Sequence, residues 1–60
     1  MNIDIMRARC NAILLALLGE THAPLWWESR NKAFDMLTAQ QQWDKNPGVV
    51  YRYLMLQASY

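Results

Sequence analysis

Apolar residues recur with helical spacing from the first turn of the chain. Ile3, Met6, Cys10, Ile13, Leu14, Leu17 and Leu18 fall three or four positions apart, which sets them on one face of a helix over 3–18. Asp4, Arg7 and Asn11 fall on the other side. Gly19 is a natural C-cap, because glycine adopts left-handed backbone angles cheaply. Thr21 then suits an N-cap for a short helix over 22–29, with Pro24 tolerated in its first turn and Ala23, Trp26 and Trp27 lined up. Residues 29–37 are ambiguous: Ala33, Phe34 and Leu37 could continue a helix, but Ser29, Asn31 and Asp35 favour turns. This segment reads as a loop with Phe34 plugged into the core.

Two clean helix starts follow. Thr38-Ala39-Gln40-Gln41 fits a capping box and predicts a short helix running to Trp43 or Asp44. Asn46-Pro47 places a preferred cap before a proline at the first helical position, and opens a last helix over 47–59. Val49, Val50, Tyr53, Leu54, Leu56 and Tyr60 form its apolar band, which Tyr51 and Met55 extend toward the opposite side. So broad a band hints at an intermolecular contact. No segment shows sustained two-residue alternation, so no strand is expected. The expected fold is all-α: one domain over 1–60, a small bundle of about four helices, two of them short.

Composition narrows what such a bundle can do. Sixty residues bury only about 60% of the surface of their unfolded chain, so stability is marginal. A single cysteine, Cys10, excludes an internal disulfide, and a single histidine, His22, excludes the usual zinc sites. The remaining resources are aromatic bulk (three Trp, three Tyr, one Phe) and association. Net charge is +1, and the basic residues are scattered without the stripe that neutralises phosphates, so nucleic acid is an improbable partner. Arg7 and Arg9, the apolar run Ala12–Leu18 and Thr21-His22-Ala23 outline a secretory leader. That run is at the short limit, Asp4 sits in the basic region and Pro24 would follow the cut. The expectation is therefore a reduced, cytoplasmic chain without a membrane span.

Catalytic groups are sparse. Cys10 lies on the apolar face and reads as a small buried hydrophobe. His22 suits a surface or capping role. Glu20, Glu28, Asp35 and Asp44 are spread out, and Gly19 and Gly48 make no phosphate loop. The chain is expected to be no enzyme and to need neither metal nor cofactor. Binding is the better reading of its tryptophans. Adjacent helical residues point about 100° apart, so Trp26 and Trp27 cannot both fill one point of a core. Trp26 and Trp43 are expected in the core. Trp27 is open to either role, and if exposed would with Arg30 and Asn31 make a plausible anchor. Tyr51, Met55 and Tyr60 are further candidate partner contacts.

The segment 26–39 resembles the signature of the toxin-binding domain shared by the Xre, MbcA and ParS antitoxins. That pattern runs Trp-Leu-x-Ser/Thr-Pro-Asn-x-Ala-Leu-Gly-Gly-x-Thr-Pro. Trp26, Trp27, Ser29, Asn31, Ala33, Phe34 and Thr38 stand at matching places without gaps. Leu18-Gly19-Glu20 resembles the Leu-(Phe)-Gly-Asp/Glu that precedes the signature, and Pro47 to Leu54 fits the final helix. Arg30 and Ala39 replace both prolines, and Asp35-Met36 replaces the glycine pair.

The resemblance implies a binding protein. Its members neutralise a partner toxin, often a RES-type enzyme that consumes NAD or transfers ADP-ribose, by covering the active site. Many carry an N-terminal helix-turn-helix that represses their own operon. Only residues 1–20 precede the match here and make one helix, so autorepression by this chain alone is not expected. Two other readings stand beside it. One is a phage or mobile-element accessory protein that binds a different host protein; the other is a self-associating helical structural protein.

Overall fold

The computed structural model describes residues 1–59; Tyr60, a candidate contact, lies outside them. Three helices are present: α1 (Ile3–Trp26), α2 (Ala39–Lys45) and α3 (Pro47–Ala58), with one 3-10 turn at Lys32–Phe34. No strand occurs among the described residues beyond an isolated antiparallel bridge between Arg30 and Thr38. The fold is all-α, as the periodicity implied.

Asn2 caps α1, its side chain accepting from the Ile5 N–H at 2.9 Å. The helix is two helices in all but name. Gly19 sits at φ 83°, ψ 173°, a conformation open in practice only to glycine. A straight helix of 24 residues would measure about 36 Å, longer than the greatest extent of the molecule, 26 Å. The Gly19 bend resolves this by folding the second half back along the first.

The second half differs from the expected short helix over 22–29. It resumes directly after Gly19, so Thr21 lies inside the helix and Gly19 itself is the break. It ends at Trp26, where tighter bonds take over: the Glu28 N–H donates to the Leu25 carbonyl and that of Ser29 to Trp26. Pro24 falls within this half and removes one donor from a short ladder.

Both later helix starts match expectation. Thr38 and Gln41 form the reciprocal capping box, with bonds of 3.0 and 2.9 Å. The Asn46 side chain accepts from the Gly48 N–H at 3.1 Å, and Pro47 opens α3. Helix α3 packs against both α1 and α2. The core joins Cys10, Leu14, Ala23, Trp27, Phe34, Ala39, Trp43, Val50 and Leu54.

Two packing expectations are corrected. Trp27 is buried, only 6% exposed, whereas Trp26 is half-buried at the margin of the core. The apolar excess of α3 is mostly taken up inside the molecule. Tyr51, Tyr53 and Met55 are half-buried, because α3 packs against both neighbouring helices, and of the described residues of the band only Val49 and Leu56 stay exposed.

Candidate functional site

Two neighbouring surfaces carry the polar chemistry of the molecule. The first is the loop between α1 and α2. Asn31 organises it: its side chain accepts from the Ala33 N–H, its carbonyl accepts from the N–H groups of Phe34 and Met36, and its own N–H donates to Leu37. This self-bonding is what a short amide side chain does in a tight turn. Asp35 (φ 54°) and Met36 (φ 67°) follow in left-handed conformation. The turn drives Phe34 into the core, where its ring meets Tyr53 edge-on at 5.2 Å and Trp26 at 6.1 Å. Trp26 in turn stacks on Tyr53 at 6.3 Å. Arg30 is exposed and donates to the Met36 carbonyl at 3.0 Å, tying the loop base. Ser29, also exposed, donates to the Leu25 carbonyl. The far end is fastened where the Gln40 N–H donates to the Trp27 carbonyl.

The second surface is a groove of about 740 Å³ between the two halves of α1. Arg7, Asn11 and Leu15 line one side, one helical turn apart; Pro24 lines the other, and the buried Ala23 and Trp27 form the floor. Trp27 is locked in place. Its Nε1–H donates to Asn11 Oδ1 at 2.8 Å, the Arg7 guanidinium lies 3.4 Å above its ring, and Trp43 meets it edge-on at 5.6 Å. Arg7 also donates to Gln40 Oε1 at 2.6 Å, and Gln40 Nε2 donates to Asp44 Oδ1 at 3.0 Å. Desolvation lowers the Arg7 pKa, with Cys10 and Asp44 opposing the shift. Burial pushes the Cys10 thiol pKa up, partly offset by Arg7.

Of the candidate contacts, Arg30 and Asn31 are brought together in the loop. Tyr51 and Met55 lie one turn apart on α3, where Arg9 donates to the Tyr51 hydroxyl at 3.3 Å. No hydrogen bond among the described residues joins the two pairs. Trp27 is no exposed anchor, because Arg7, Asn11 and Trp43 close over its indole.

The groove itself was missed. Arg7 and Asn11 fall on the polar side of the first helix by spacing, yet they pack on Trp27 because the bend delivers a second helix to that side. The i, i+4, i+8 spacing of Arg7, Asn11 and Leu15, beside a glycine break, was the available signal. No helix among the described residues is long and apolar enough to cross a membrane. Comparison with protein-family models, curated proteins and solved structures gives no match to this chain.

Proposed function

We propose that this chain is a small protein-binding module resembling the toxin-binding domain of the Xre, MbcA and ParS antitoxins. In this reading it acts by contact, covering the active site of a partner toxin, and turns over no substrate itself. The loop backbone is the observation that carries the reading. Among the described residues, Asp35 and Met36 are the non-glycine residues with positive φ, and they occupy the two places where the antitoxin pattern has glycines. Left-handed angles cost a non-glycine residue about 1–2 kcal/mol, so such a pair needs a reason. A loop path retained while its sequence drifts supplies one. Ala39 agrees: it is the first residue of α2, a place that favours proline, and proline is what the pattern has there.

The loop and its neighbours then form the contact surface, with Arg30 as its exposed charged candidate. Co-expression with a panel of RES-type toxins, paired with pull-down, tests the reading. Growth rescue together with a stable complex supports it; neither outcome with any panel member removes the antitoxin role. The charges of Arg30 and Asp35, standing where the pattern has proline and glycine, favour a second reading, a phage or mobile-element protein whose scaffold binds a different host protein. Retention of one defined non-toxin protein, lost on Arg30→Ala, would favour it.

A further inference from the structure

The groove between the two halves of α1 specifies its occupant more closely than the loop does, given that the chain is a protein-binding module. Its floor is apolar: Ala23 and Trp27 are buried, and Leu15 and Pro24 flank them. Its rim carries Glu20, beside the bend, and Glu28, just past the end of α1. Both are exposed, and no ion pair holds either among the described residues. The Arg7 charge is already engaged, face-on to Trp27 and through Gln40 to Asp44. Two exposed carboxylates against the one guanidinium, which is held on Trp27, leave the groove net negative. Glu20 and Glu28 stand eight residues apart, near the two ends of the second half of α1, so their backbone positions lie about two helical turns apart, the spacing of residues i and i+7 on a facing helix.

The geometry points to an amphipathic helix of a partner protein, with basic residues two turns apart and apolar residues between them. The cations meet Glu20 and Glu28, and the apolar side chains between them lie over Leu15, Pro24 and the Trp27 edge. An acidic helix would meet both carboxylates, and a basic pair one turn apart would reach only one.

Three synthetic helical peptides test this by NMR titration of the full chain: Lys at i and i+7 around leucines, the same peptide with Glu for Lys, and one with Lys at i and i+3. The resonance of Trp27 Nε1–H reports the groove. The first peptide is expected to shift it saturably and to bind more tightly than the other two. Glu20→Gln with Glu28→Gln should weaken it about fivefold, the combined worth of two partly exposed ion pairs, and flatten its salt dependence. Leu15→Ala should weaken it at any salt. Equal binding of the acidic peptide, or an unchanged double variant whose Trp27 Nε1–H resonance keeps its free position, overturns the proposal. Toxin rescue is a separate readout: its failure with the peptide result intact retires the antitoxin role and leaves the groove standing.

Discussion

Trp27 shows how much one side chain can be asked to do in a chain this small. It contributes buried area, a hydrogen bond to Asn11 and a seat for the Arg7 cation. Trp27→Ala is expected to cost about 3–5 kcal/mol, comparable with the whole stability of a small domain, and so to unfold it. Asn11→Leu separates the hydrogen bond from the area. It strands one indole donor and should cost about 1–3 kcal/mol by urea denaturation, leaving a folded protein. Phe34→Ala should match the Trp27 loss, whereas Trp26→Ala, at the margin of the core, should cost less; thermal melts of the pair check the order. Cys10 adds a pH signature. Its thiol pKa is raised by burial in the folded chain, against about 8.5 unfolded. The folded state holds its proton after the unfolded state has lost it, so this contribution is full below about pH 8.5 and is lost as pH rises past it. Urea melts at neutral and alkaline pH should show a steeper loss in the wild type than in Cys10→Ala; equal slopes would contradict the assignment. Which tryptophan of the adjacent pair turns inward was not legible locally, because it depends on the bend at Gly19, eight residues before Trp27.

The elements whose signals are local were legible, and those that depend on tertiary contact were not. The capping box at Thr38 and the Asn46-Pro47 start each act within a single turn, so they stand where the sequence puts them. The Gly19 break was equally visible, but the restart was misjudged. Thr21 has the chemistry of a cap, yet the glycine backbone already supplies the change of direction. Space is not the reason for glycine here, since nothing lies within 4 Å of where a Cβ would stand. Gly19→Ala therefore isolates the backbone term, with an expected loss of about 1–3 kcal/mol in thermal or urea melts. The loop gives the opposite sign. Met36 is 49% exposed and left-handed, so Met36→Gly removes strain while exposing little of the core. It should leave stability unchanged or raise it by up to about 1 kcal/mol. A clear loss would mean that the Met36 side chain, and not its backbone, holds the loop. Left-handed angles at Asp35 and Met36 could not be read from these residue types, because the hydrogen bonds that Asn31 makes around the turn set the backbone there.

Across the whole molecule, one broken helix, one knotted-down loop and two short helices close a core without an internal disulfide. The radius of gyration is 10.6 Å, against about 10.4 Å expected for a folded chain of this length. Exposed apolar side chains nonetheless remain on α1, at Leu17, Leu18 and Leu25 beside the half-buried Trp26. The expected apolar stripe of the first helix is thus covered at Cys10 and Leu14, partly covered at Met6 and Ile13, and left open at Ile3, Leu17 and Leu18. Fold class, helix starts and the plugged Phe34 came from patterns inside single segments. The groove did not, because it exists only after the bend brings distant segments together. The proposed role rests on contact with a toxin, so the most direct measurement titrates purified chain into the NAD-consuming reaction of RES-type toxins. Activity of a cognate enzyme is expected to fall to near zero at about one equivalent, with Arg30→Ala requiring more. Undiminished turnover across the panel at large excess of folded chain would contradict it.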